Sequence, residues 1–252
     1  MLTTVLLLII LFYAAGLAYF YFCQRSLIFY PQPGAFVYKD HAFEVSIDGI
    51  NLRGWVLNEG CDSVLFYFGG NNENIQMNIT RFERWFPQYT VYLVNYRGYG
   101  KSEGAPSEAA LFHDALCLYD RFAEKYNTVS IIGRSLGSGV ACHVASMRRV
   151  DKLALITPYD SINNVGKNKY WYIPVQFLLQ DKFESWKKVD KITASIIVFT
   201  AIGDDVIPNV RTENLLRFFK QSKPRVIEIE DTTHAYIMNH ARFAVRIKDF
   251  FE

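Results

Sequence analysis

Cysteine is scarce in this chain and unpatterned. Four occur in 252 residues (Cys23, Cys61, Cys117 and Cys142), with no CxxC spacing and no Cys/His cluster. That excludes a zinc ribbon or finger and a disulfide framework. Charge is sparse and balanced: the net value is +2, and no block of like charges occurs. Nothing therefore marks a nucleic-acid partner. Internal repeats and low-complexity tracts are missing. A complete phosphate loop is missing too. Gly98-Tyr99-Gly100-Lys101-Ser102 has Asn95 where the first glycine would stand, and Gly104 and Pro106 interrupt the helix that would have to follow.

Apolar side chains are abundant, at half of all residues. That amount suits one sizeable α/β domain with a full core and one additional apolar segment. The additional segment is Leu2 to Cys23. It carries no charged side chain and is long enough to span a bilayer as a helix. Tyr13, Tyr19, Phe20, Tyr21 and Phe22 crowd its second half, as an interfacial aromatic belt would. No positive n-region precedes it, which argues for an uncleaved anchor over a signal peptide; the small residues from Ala14 to Ala18 are where cleavage would fall. Arg25 and Lys39 follow the span, so the positive-inside rule favours a single-pass membrane protein with a cytoplasmic domain, an exported one being the alternative. The expected division is an anchor over 1–23, a juxtamembrane link over 24–42, and a domain over 43–252.

Within that domain, Phe43 to Ile47 and Leu52 to Leu57 alternate around Asp48-Gly49, a hairpin signal. Val64–Phe68, Val91–Val94, Val129–Ile132, Lys152–Thr157, Ile196–Ala201 and Arg225–Ile229 read as further strands. Helical spacing separates them over Asn74–Phe86, Ser107–Lys125 (with Ser107 as cap), the stretch up to Arg148, Val210–Lys220 and Ala235–Phe251. This alternation predicts a mostly parallel sheet covered on both faces, with one antiparallel hairpin at its start. It breaks over 159–191, a Tyr-, Trp-, Phe- and Lys-rich insertion placed to cap the strand ends.

Gly133-Arg134-Ser135-Leu136-Gly137 stands between a β-branched run and an apolar helical pattern. This is the strand–turn–helix setting of a nucleophile elbow, and the turn is tight enough that glycine fits best at its flanks. The competing reading is a glycine-rich turn that only joins strand to helix. A serine nucleophile needs a base and a group that holds the base, and in such sheets these follow in the order Ser, acid, His. Asp204 and Asp205 lie just past the strand Ile196–Ala201, and His234 follows the strand Arg225–Ile229 and opens the last helical stretch. His41 precedes the hairpin, His113 and His143 fall within helices, and His240 lies further along the last helix. For the oxyanion, the backbone N–H groups of Leu136 and of Asn71, in the loop Gly69-Gly70-Asn71-Asn72, are the candidates.

These blocks resemble the α/β-hydrolase superfamily, and within it the membrane-anchored Bem46-like group, which is similar to the α/β-hydrolase domain-containing protein 13 branch. The likeness spans nearly the whole chain. It is carried by Gln24-Arg25-Ser26-Leu27-Ile28-Phe29-Tyr30-Pro31, Gly70-Asn71-Asn72-Glu73-Asn74-Ile75, Tyr96-Arg97-Gly98-Tyr99-Gly100-Lys101-Ser102-Glu103-Gly104 and the elbow. In the insertion, Pro174, Leu178-Leu179 and Asp181-Lys182-Phe183-Glu184-Ser185 look like the family's short cap. The family's acid stands in a pattern like D-x-V-I-P, which selects Asp204 ahead of Val206-Ile207-Pro208, and His234 matches its histidine. Departures are Gly69 in place of a usual histidine, Ala201 in place of a glycine, and Asp231-Thr232-Thr233 in place of a glycine-containing loop. The resemblance implies an α/β-hydrolase fold and a serine hydrolase needing no metal or organic cofactor. The resemblance names no substrate; the apolar anchor and the aromatic insertion point to a small-molecule or lipid-like acyl ester or thioester, with Ser135, Asp204 and His234 as triad. A non-enzymatic, membrane-tethered interaction protein that keeps the fold, and a serine peptidase, are the alternatives.

Overall fold

Asp48 and Gly49 both take positive φ, 50° and 78°, which is the backbone that a two-residue hairpin with correct twist demands. The hairpin forms accordingly in the computed structural model, which describes residues 1–34 and 39–252. Residues 35–38, in the expected link, lie outside the described residues. The first element is a helix, α1 (Leu2–Ile28). At 1.5 Å per residue it is about 40 Å long, enough to cross a bilayer. Its most apolar stretch has a mean hydropathy of 2.3 and is almost wholly exposed. The helix continues past Cys23, where the span was expected to end. Gln24 to Ile28, read from sequence as link, are its last turns. Phe20, Gln24 and Ile28, spaced by four on one face, are buried against the domain.

The hairpin strands are β1 (Ala42–Ile47) and β2 (Ile50–Leu57), followed by β3 (Ser63–Phe68). Then come α2 (Ile79–Trp85), preceded by a single 3-10 turn, and β4 (Tyr89–Val94). α3 (Glu108–Phe122) begins at Ser107, whose side chain accepts from the Ala110 N–H as the expected cap. β5 (Thr128–Arg134), α4 (Leu136–Met147) and β6 (Lys152–Ile156) follow. Two short helices, α5 (Ile162–Lys169) and α6 (Val175–Leu178), lie in the insertion. β7 (Ser195–Ala201), α7 (Asn209–Leu216), β8 (Arg225–Ile229) and α8 (Ala241–Phe251) complete the chain.

The eight strands form one sheet in the order β1-β2-β4-β3-β5-β6-β7-β8. β2 runs antiparallel to both β1 and β4, and every other pairing is parallel. The interior strands are apolar on both faces because both faces are covered. Val64, Phe66 and Phe68 of β3 pack into one core layer with α3, α4 and the inner end of α1. Leu65 and Tyr67 point into the other layer, where α2 and the Phe243, Ile247 and Phe251 stripe of α8 lie. Because α2 and α4 cover opposite faces, the chain changes direction between β3 and β5. The crevice at the carboxyl ends of those two strands is therefore where a ligand site is expected.

Two helical expectations are corrected. α8 starts at Ala241, not Ala235. His240, expected inside the helix, is its N-cap, and its Nδ1 accepts from the Arg242 N–H. Apolar Ile237 and Met238 extend the spacing but belong to a separate 3-10 turn. α7 likewise stops at Leu216, short of Lys220.

Candidate active site

Ser135 sits between β5 and α4 with φ 50° and ψ −118°, a conformation that costs a non-glycine residue free energy and is held only by its surroundings. Its N–H donates to the Ile156 carbonyl at 2.9 Å, and its carbonyl accepts from Ser138 N at 2.9 Å and Ser138 Oγ at 2.6 Å. The flanking glycines are required by close approach. A Cβ on Gly133 would lie 2.5 Å from the Gly137 carbonyl oxygen, and one on Gly137 only 2.0 Å from that of Phe68. The helix after the elbow thus rests directly on the end of β3, and α4 points its N-terminus at the crevice.

Three side chains expected from the sequence meet there. His234 Nε2 lies 2.8 Å from Ser135 Oγ. His234 Nδ1 lies 2.9 Å from Asp204 Oδ2 and 3.1 Å from Oδ1. A carboxylate only accepts, so Nδ1–H donates to Asp204 and Nε2 is left to accept from the Ser135 hydroxyl. Asp204 is held in turn by the N–H groups of Val206 at 2.9 Å and Ile207 at 2.7 Å. Asp205, the other acid considered, is exposed. His234 does not open a helix; it stands on the loop between β8 and the 3-10 turn at Ile237–Asn239.

The two expected oxyanion residues border the same crevice. Gly70 passes so close that a Cβ there would be 3.6 Å from the Ser135 Cβ. The Asn71 side chain donates to the Ile28 carbonyl at 2.8 Å, and its own carbonyl accepts from Tyr30 N at 3.1 Å and Tyr99 Oη at 2.8 Å. The loop is thereby pinned, and its backbone N–H is the group the expectation invokes. Leu136 is the first residue of α4, and its carbonyl accepts from Tyr159 Oη at 3.1 Å.

A buried ion pair beneath these loops was not foreseen. Glu73 Oε2 lies 2.9 Å from an Arg134 guanidinium nitrogen. Glu73 also accepts from Gly70 N at 2.7 Å, Tyr67 Oη at 2.6 Å and Asn78 Nδ2 at 2.7 Å. Burial alone would raise the Glu73 pKa, but the Arg134 charge and the Gly70 N–H outweigh it and hold the carboxyl below its usual range. Arg134 reaches on to the carbonyls of His234 and Ala235, both at 3.3 Å. One side chain thus ties the Gly70 loop to the His234 loop. The available sequence signal was a charge set inside a glycine-rich, apolar elbow, which demands a partner without naming it.

The crevice opens into a cavity of about 440 Å³, within the range of small-molecule sites. Ser135, His234, Gly70, Asn71 and Leu136 line its polar end. The insertion contributes Ile162, Val165, Tyr170, Val175 and Leu179, and α1 contributes Phe20, Gln24, Leu27 and Ile28. The part played by α1 was also missed from sequence. Among the described residues no cluster of three His, Cys, Asp or Glu side chains is arranged to hold a metal ion.

The fold is the α/β-hydrolase fold. Esterase Pf2001 of Pyrococcus furiosus superposes with a TM-score of 0.67 over 88% of this chain and 97% of its own, at 17% identity. Est1E from Butyrivibrio proteoclasticus, solved with ferulic acid bound, gives 0.67 over 82% and 97% at 14% identity. In sequence, the chain is 28% identical over 210 residues to an uncharacterized membrane protein of Saccharomyces cerevisiae, covering 75% of this chain and 71% of that one. It is 31% identical over 157 residues to the lysophosphatidylserine lipase ABHD12 of Danio rerio, covering 54% of this chain and 41% of the lipase. No family model matches the chain. Fold and relatives together support a hydrolase.

Proposed function

We propose that the chain is a membrane-anchored serine hydrolase that cleaves carboxylic ester or thioester bonds through an acyl-enzyme. The observation that carries this reading is the unbroken line of contacts from Asp204 through His234 to Ser135 at 2.9 and 2.8 Å. Ser135 Oγ attacks the carbonyl carbon while His234 Nε2 takes its proton, and Asp204 orients the ring and stabilises its cation. The N–H groups of Asn71 and Leu136 hold the oxygen that gains negative charge. Collapse breaks the bond to the alcohol or thiol, which leaves with the proton from His234. Water, deprotonated by the same nitrogen, then releases the acid and restores Ser135. A lipid-like acyl group suits the apolar cavity walls, and a relative named as a lysophosphatidylserine lipase supports the same class.

The proposed organisation is anchor, link and hydrolase domain with the insertion as cap. Arg25 and Lys39, on the domain side of the span, favour a cytoplasmic domain. A fluorophosphonate probe tests the chemistry on the full chain in detergent. Wild type is expected to be labelled and Ser135→Ala not; an unlabelled wild type, or equal labelling of the two, refutes the reading.

A further inference from the structure

The end of α1 is joined to the cap by bonds that a simple tether would not need. Gln24 is 1% exposed. Its Nε2 donates to the Leu178 carbonyl at 3.0 Å, and its Oε1 accepts from Gln180 N at 2.7 Å. An amide in an apolar setting is costly unless satisfied, and here the cap backbone satisfies it. Arg25 Nε pairs with Asp181 Oδ2 at 2.9 Å, and Asp181 Oδ1 accepts from Glu108 N at the start of α3. Higher up, Tyr13 Oη donates to the Tyr172 carbonyl at 2.9 Å, and the Phe20 and Tyr170 rings meet edge to face. The cap therefore follows α1 into the stretch expected to lie in the bilayer. Where it does so it exposes Trp171 and Phe177, 83% and 81% accessible, and half-exposes Tyr172. Aromatic side chains so placed fit a membrane interface.

On the serine hydrolase reading, we propose that the end of α1 from Phe20 to Ile28, about two and a half turns, forms the acyl-binding wall of the site, and that the acyl chain is one resident in the bilayer, reaching Ser135 along that wall. Phe20, Leu27 and Ile28 then select acyl length, and the element that crosses the membrane is also a specificity element. Leu27 is the best probe because it lines the cavity while still 39% exposed, so a larger side chain there need not disrupt the core.

The test uses the full chain reconstituted in phosphatidylcholine nanodiscs, with p-nitrophenyl palmitate and butyrate as substrates and fluorophosphonate labelling of Ser135 beside them. Leu27→Trp is expected to lower the palmitate-to-butyrate ratio of kcat/KM about tenfold, the scale of losing one or two methylene contacts, and Leu27→Phe about threefold. Phe12→Trp, at an exposed position of α1 that does not line the cavity, is expected to keep the wild-type ratio. A ratio within twofold of wild type in whichever Leu27 variants are labelled overturns the proposal while leaving the hydrolase reading intact. An equal fall in Phe12→Trp overturns it as well. An unlabelled wild type overturns the hydrolase reading, and this proposal with it.

Discussion

Glu73→Gln isolates the ion pair beneath the site. The carboxylate has four donors around it, at 2.6 to 2.9 Å, from Tyr67, Gly70, Asn78 and Arg134. Glutamine keeps one acceptor oxygen and turns its NH2 toward a donor. It also leaves the Arg134 side chain, 14% exposed, without its counter-charge. Breaking a buried pair in this way costs about 3–5 kcal/mol. The measurement is urea unfolding in detergent, followed by tryptophan fluorescence, for Glu73→Gln, Arg134→Met and the double variant. The double variant is expected to fall short of the sum of the singles by at least about 1 kcal/mol, because the second change removes the charge stranded by the first. Since Arg134 also holds the His234 and Ala235 carbonyls, ester hydrolysis is expected to fall in both singles. The sign with pH follows from the depressed Glu73 pKa. The pair's stabilisation is complete above the ordinary carboxylate range and is lost as pH falls through the lowered value, so Glu73→Gln flattens the acid limb of the stability profile. A single-variant cost below about 1 kcal/mol, or strict additivity in the double variant, refutes the argument.

Asp204→Asn keeps the shape of the residue that faces His234 Nδ1 but favours the wrong ring tautomer. Ester kcat is expected to drop by about 10⁴-fold with the melting temperature little changed; a drop of less than tenfold would remove Asp204 from the proposed role. His143 stacks on Phe112 with ring centroids 4.0 Å apart, and burial, together with Lys188 and Arg148, pushes its pKa down to about 4 from 6.5. The folded state therefore binds fewer protons than the unfolded one between those values, and stability falls as pH drops through that window. His143→Gln is expected to reduce that slope in thermal melts from pH 6.5 to 4, and an unchanged slope would assign it to other groups.

Much of the sheet was readable because its strands are short continuous apolar runs ended by turn residues, as buried parallel strands must be. The hairpin was readable from Asp48-Gly49, and the start of α3 from the hydroxyl of Ser107. The meeting of Ser135, Asp204 and His234 was readable because each lies just past the carboxyl end of its own strand, and a parallel sheet brings those ends to one edge. Residues that act through long-range pairing were not readable. Nothing in the order of residues links Glu73 to Arg134, or Gln24 to the backbone of Leu178 and Gln180. The contact face of α1 was hidden for a different reason. A helix apolar on every side shows no stripe, so periodicity carries no information about which side packs. The start of α8 was misjudged because Ile237 and Met238 keep a helical rhythm across a 3-10 turn.

The grip of Gln24 and Arg25 on Leu178, Gln180 and Asp181 has a mechanical consequence. If α1 spans a bilayer, the domain cannot swivel on it as a body on a loose string would. Height, tilt and azimuth relative to one leaflet are set together by the same few hydrogen bonds. Such a protein would skim molecules lying in its own sheet of lipid and ignore those presented by a facing membrane.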